Sequence, residues 1–130
     1  MLTIGIDSVE IERFQEWTRF SYKQLLRIFS KEELEYAFSL ETKKLERLAV
    51  RFAAKEAFYK ALTPRVGNPL PFLRVCNSCS IVSSVKGIPT LKISWETLGL
   101  KNMVIAQASF THTQTTATAI VILVDKTDPL

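Results

Sequence analysis

The 130-residue sequence holds no apolar run long enough to cross a bilayer. The longest, Ala117 to Val124, is interrupted by Thr118, and a spanning helix needs about 20 residues. Cysteine is scarce: Cys76 and Cys79 form a single C-x-x-C, and His112 is the sole histidine. A structural zinc needs four good ligands, so neither a zinc site nor a redox centre is expected, only two ordinary thiols in a reduced compartment. There is no internal repeat and no low-complexity tract. The opening, Met1-Leu2-Thr3-Ile4-Gly5-Ile6-Asp7, carries neither a basic n-region nor a small-residue cleavage site, so no secretion signal is read and the cytoplasm is the expected compartment. Exposed aromatics interleaved with arginines are also missing, which argues against nucleic acid as a partner.

What remains is a globular composition, 47% hydrophobic, 10% aromatic and 23% charged. At this length it predicts one domain over residues 1–130. Seventeen basic residues against thirteen acidic ones leave a net charge of +4, which favours anionic partners without naming one. The fold class read from the elements is α+β. Leu2, Ile4 and Ile6 alternate with Thr3, Gly5 and Asp7, predicting a short half-buried strand that ends near Asp7. Helical spacing begins at Glu10 with Ile11, Phe14 and Trp17, and a second segment, Tyr22 to Phe29, follows. Ser30-Lys31-Glu32-Glu33 is a capping box that starts a helix running toward Leu40.

The next helix, predicted from Glu41 to Leu62 and stopped by Pro64, is the centre of the chain. One face carries Leu45, Leu48, Ala49, Phe52 and Tyr59, and another Val50, Ala54, Ala57 and Ala61. Lys44, Arg47, Arg51 and Lys55 form a line of cations between them. Thr63 to Pro71 reads as a loop and Ser80 to Trp95 as a hairpin turning at Lys86-Gly87, with Pro89 at an edge. Glu96 to Asn102 reads as a helical turn, Met103 to Phe110 and Thr115 to Val124 as two further strands, and Asp125 to Leu130 as a frayed tail.

Glu56 breaks the pattern, because it falls within the apolar stripe four residues after Phe52. An unpaired carboxylate there is costly, so it needs a cation, a metal or donors. Asp7 at the strand exit supplies a second carboxylate, and the two together would make an oxygen site for a hard cation such as Mg²⁺. Arg51, Lys55 and Lys60 lie close by in sequence as phosphate-binding cations. Structural roles compete with these readings: Asp7 as a helix cap, Glu56 paired with Lys60 at i,i+4, and His112 as a plain turn residue. A non-catalytic basic binding module is the alternative function.

Three segments carry a resemblance. Ile4-Gly5-Ile6-Asp7-Ser8-Val9-Glu10-Ile11-Glu12-Arg13, the central Arg51-Phe52-Ala53-Ala54-Lys55-Glu56-Ala57-Phe58-Tyr59-Lys60-Ala61-Leu62, and Ser109-Phe110-Thr111-His112-Thr113 are similar to the motifs of the holo-acyl-carrier-protein synthases, small members of the phosphopantetheinyl transferase superfamily. The resemblance implies that family's fold, with an N-terminal strand, helices around a long central helix, and a small antiparallel sheet from the C-terminal half. It also implies Mg²⁺-dependent transfer of 4′-phosphopantetheine from coenzyme A to a serine of an acidic apo-acyl-carrier protein in fatty acid biosynthesis. Asp7 and Glu56 would be metal ligands, and Lys60 a catalytic cation near the pyrophosphate. Arg51 and His112 would belong to the coenzyme A site, and Arg13 would contact the carrier protein. Lys23 and Arg27 extend that last surface by charge alone. A homotrimer with the active site shared between neighbours is implied too. The sequence departs from the family after the helix, where Thr63-Pro64-Arg65-Val66-Gly67 replaces Gly-Thr-Gly and puts the pantetheine-side loop in question.

Overall fold

The computed structural model describes residues 1–83, 86–101 and 104–126. Strand β1 (Leu2–Glu10) leads into a 3₁₀ helix (Ile11–Arg19), and three α-helices follow: α1 (Tyr22–Leu25), α2 (Lys31–Phe38) and the long α3 (Lys44–Leu62). The chain then forms α4 (Phe72–Asn77), the hairpin of β2 (Cys79–Ser83) and β3 (Pro89–Ile93), and finally β4 (Val104–His112) and β5 (Thr116–Asp125). β1, β5 and β4 make one antiparallel sheet in that order, while β2 and β3 make a separate two-stranded sheet. Ser84, Val85, Asn102, Met103 and the expected frayed tail at 127–130 lie outside the described residues.

Helix starts follow the sequence closely. Ser30 accepts from the Glu33 amide and Glu33 accepts from the Ser30 amide, and Ser21 with Gln24 repeats the device at α1. Glu41–Lys43 is a 3₁₀ turn, so the central helix begins at Lys44 instead of Glu41.

The first strand differs more. β1 does not end at Asp7; it runs to Glu10, paired residue by residue with β5, Asp7 opposite Ala119. Its buried side is Thr3, Gly5, Asp7 and Val9, whereas Leu2, Ile4 and Ile6 are exposed at 50%, 54% and 57%. The cause is the approach of α3. Ala53, Ala54, Ala57 and Ala61 are fully buried, and a Cβ on Gly5 would stand 1.8 Å from the Ala57 carbonyl oxygen and 2.7 Å from the Ala61 nitrogen. The helix and strand therefore pack backbone to backbone, which requires glycine on one side and alanines on the other. Gly5→Ala is expected to cost about 3 kcal/mol by overpacking. Chemical denaturation reads this directly, and an unchanged midpoint would mean that α3 does not rest on β1.

The Thr63-Pro64-Arg65 departure has a structural use. It forms a 3₁₀ turn that carries Arg65 back to the sheet. There the guanidinium donates to Thr3 Oγ1 (2.9 Å), to the Leu123 carbonyl (3.1 Å) and to Asp125 Oδ1 (2.7 Å), joining the ends of β1 and β5. Asp125 is thus the last residue of a paired strand and not part of a loose tail.

Candidate active site

Two groups of polar residues converge around α3, on different sides of it. The first lies where β1 crosses the helix. Lys60 Nζ donates to Asp7 Oδ1 at 3.0 Å and to the Ile6 carbonyl at 3.0 Å. The expected i,i+4 pairing of Lys60 with Glu56 gives way to this contact, because β1 brings a carboxylate across the helix end. Asp7 caps no helix: the residue before the 3₁₀ helix is Glu10, without a side-chain cap. Its second oxygen, Oδ2, is buried and has no hydrogen-bond partner.

Glu56 is half-buried and not enclosed in the apolar core. Partial burial raises its carboxyl above the ordinary 4.5, and the charge of Asp7 raises it further, with Lys60 and Arg13 opposing. A carboxyl whose ionised form is disfavoured, beside a second carboxylate with an orphaned oxygen, fits a divalent cation that takes its other ligands from water and substrate. Among the described residues no cluster of three or more His, Cys, Asp or Glu is placed to hold a metal, so a fully protein-coordinated ion does not fit.

The raised carboxyl has a consequence for stability. Because the fold disfavours ionised Glu56, its penalty is present above the folded pKa and disappears below the unfolded one. Glu56→Gln is therefore expected to stabilise the metal-free protein at neutral pH, with the gain fading as pH falls toward 4.5. Thermal melts across that range read it. A loss of stability at neutral pH would mean that Glu56 is a structural partner.

The second group lines a cavity of about 370 Å³ between α2, the start of α3 and the ends of β3 and β4. Arg51 and His112 meet there, joined by Tyr36, Lys43, Glu46 and Arg47. The Arg47 and Arg51 guanidinium groups lie over the Tyr36 ring at 4.0 and 4.5 Å from its centroid, a cation–π arrangement that fixes both. Arg51 is only 8% exposed, and burial lowers its pKa from the ordinary value, with Glu33 and Tyr36 opposing. Its Nε is buried without a partner, a second orphaned polar atom suited to an anion. His112, the last residue of β4, sets Nε2 2.7 Å from Glu46 Oε1 and Nδ1 3.2 Å from the Thr113 carbonyl.

Lys55 is not among the phosphate cations. It is fully buried, with Nζ 2.9 Å from Glu33 Oε1 and donating to the Cys76 and Cys79 carbonyls at 3.0 and 2.6 Å. The line of four cations thus divides: Lys44 pairs with Glu41, Arg47 and Arg51 line the cavity, and Lys55 is structural. Cys76 and Cys79 are buried free thiols whose burial pushes them up to about 12 and about 11, so both remain protonated. Tyr36 and Glu46 carry no site signal in the sequence, and Arg47 stands there only as one of the line of cations. Tyr36 and Arg47 sit 11 residues apart on different helices, and only folding shows that they stack.

Arg13 spreads its guanidinium over Phe52, Phe14 and Trp17 at 5.2, 5.8 and 5.9 Å. Lys23, on α1, and Arg27, just after it, are exposed. Phe20 and Tyr22 nearby are 43% and 53% exposed, giving that end of the molecule an apolar and basic surface.

The model of the 4′-phosphopantetheinyl transferase superfamily matches residues 3–119 of the chain. The chain belongs to that superfamily. A holo-acyl-carrier-protein synthase of Treponema denticola is 41% identical over 127 residues, covering 95% of this chain and 98% of that one. Among solved structures, an ACPS-CoA complex from Chronobacterium ammoniagenes superposes with a TM-score of 0.79 at 27% identity, covering 96% of this chain and 98% of that chain. Helicobacter pylori holo-acyl-carrier-protein synthase in complex with coenzyme A superposes with a TM-score of 0.73 at 33% identity, over 93% and 99%. The α+β fold with a long central helix is that of the superfamily. No helix among the described residues is long and apolar enough to cross a membrane.

Proposed function

We propose that this phosphopantetheinyl transferase is a holo-acyl-carrier-protein synthase, acting in the cytoplasm and serving fatty acid biosynthesis. It moves 4′-phosphopantetheine from coenzyme A to a serine of apo-acyl-carrier protein and releases adenosine 3′,5′-bisphosphate. The observation that carries the reading is the Asp7–Glu56–Lys60 group, with an unpartnered carboxylate oxygen aimed at no protein donor. Asp7 and Glu56 would hold Mg²⁺, which when bound supplies charge neutralisation at the pyrophosphate. Lys60 pairs with Asp7 and would offer its remaining hydrogen to a phosphate oxygen. Arg51 and His112 bind the nucleotide end of coenzyme A in the cavity. The chemistry is then mostly positioning and electrostatics.

Arg51 and Glu56 are five positions apart, about 7 Å of rise and about 140° of rotation on a helix. Within one subunit the cavity and the carboxylates therefore face different ways. A site completed by a neighbouring copy resolves this, and the sheet supports it. Leu2, Ile4, Ile6 and Ile105 are exposed on the face away from α3, on strands that also carry Ile120 and Ile122. An uncovered apolar face of this kind marks an interface, which we assign to a homotrimer. Sedimentation is expected to give three times the chain mass, and a monomer at micromolar concentration would contradict the assignment.

The carrier protein, an acidic partner, would dock on Arg13, Lys23 and Arg27 around the exposed Phe20 and Tyr22. Intact mass tests the function itself: apo-carrier protein gains one phosphopantetheine when mixed with this protein, coenzyme A and Mg²⁺. A carrier that stays at its apo mass would contradict it.

A further inference from the structure

The cavity that holds Arg51 and His112 contains one carboxylate among its lining residues, and it stands where a phosphate would bind. Glu46 Oε1 is 2.7 Å from His112 Nε2, and its Oε2 is 3.6 Å from Lys43 Nζ. His112 Nδ1 faces the Thr113 carbonyl at 3.2 Å. A carbonyl only accepts, so Nδ1 donates there. A carboxylate likewise only accepts, so Nε2 donates to Glu46, and an anion that uses the ring needs that same N–H. Arg47 is engaged with the Tyr36 carbonyl and Ser39 Oγ, and stacked on the Tyr36 ring. An incoming anion that takes the His112 Nε2–H must therefore displace Glu46, and Lys43 beside it is drawn to the same carboxylate.

We propose that Glu46 is a specificity-determining competitor for the phosphate of the nucleotide. It occupies His112 and Lys43 while the cavity is empty, and it yields to a group of higher negative charge than its own. A phosphate monoester near its second ionisation replaces one carboxylate charge with nearly two and offers three acceptor oxygens. A carboxylate or neutral ligand gains nothing by the exchange. Glu46 sits on the half-buried first turn of α3 with its side chain 26% exposed, so it has a path toward water that does not cross the core. The inference rests on the reading of this cavity as the nucleotide site.

Titration calorimetry with adenosine 3′,5′-bisphosphate, and with adenosine as the phosphate-free probe, tests it on the full chain. Glu46→Gln, which keeps shape and removes charge, is expected to bind the bisphosphate about fivefold more tightly than the wild type, the scale of one exposed ion pair. Adenosine binding should not change. In a His112→Ala background the gain from Glu46→Gln should shrink, because the competition is for that ring. Equal or weaker bisphosphate binding by Glu46→Gln would overturn the competitor role and make Glu46 a support for His112. Absence of bisphosphate binding by the wild type would instead overturn the cavity's assignment, which separates the two failures.

Discussion

Replacing Glu56 with glutamine is expected to cut phosphopantetheine transfer by about 10³-fold while the protein folds at least as stably as the wild type. The activity half follows from chemistry. Glutamine keeps the size of the side chain but offers one neutral oxygen in place of a carboxylate, so a divalent cation would lose a charged ligand. The stability half follows from the site itself. Ionised Glu56 is disfavoured by partial burial and by Asp7, and glutamine removes that penalty. The two effects run in opposite directions, which a structural role cannot produce: a residue needed for packing loses stability and activity together. Transfer rate by mass and a thermal melt on one preparation decide between them.

The second large effect lies one residue earlier in the chain. Lys55→Met is expected to lose about 3–5 kcal/mol, because it leaves the buried Glu33 carboxyl without its cation. Glu33 is 1% exposed and Lys55 is fully buried, and the pair is saturated with hydrogen bonds. Lys55 has three N–H groups and meets three acceptors: Glu33 and the Cys76 and Cys79 carbonyls. Glu33 accepts from the Ser30 amide with one oxygen and from the Ile81 amide with the other. The pair thus ties α3 to the start of α2, the end of α4 and strand β2. The double variant Glu33→Gln with Lys55→Met should recover part of the loss, since neither charge then stands alone. A single variant that unfolds at the wild-type denaturant midpoint would contradict the account.

These two neighbours show how far the sequence could be read. Periodicity identified α3 as central, the Ser30 capping box marked the start of α2, and β-branched runs marked β4 and β5, because those signals are local. Lys55 reads in the sequence as a phosphate-binding cation on an edge of the helix, because its partner, Glu33, lies 22 positions away in a different helix. The available clue was its position between the two small-residue stretches Ala53-Ala54 and Ala57, where a surface side chain would not be expected on both flanks. β1 was read with the wrong extent, since Ile4 and Ile6 are as apolar as any core residue. Only the close approach at Gly5 fixes which side meets the helix, and the outward isoleucines are the face on which the proposed neighbouring copy would sit. Asp7 at a strand exit and Lys60 one turn after Glu56 are both legible from their positions, but their mutual contact depends on how β1 crosses α3. Glu46 carried no local signal beyond an i,i+3 pairing with Lys43.

The most direct measurement is the mass of apo-acyl-carrier protein after incubation with this protein and coenzyme A, in three arms: with Mg²⁺, with a chelator, and with Mg²⁺ restored in excess. The account predicts a gain of one phosphopantetheine in the first arm, none in the second and recovery in the third. Full transfer in chelator would contradict a metal held by Asp7 and Glu56, and no transfer in any arm would contradict the function.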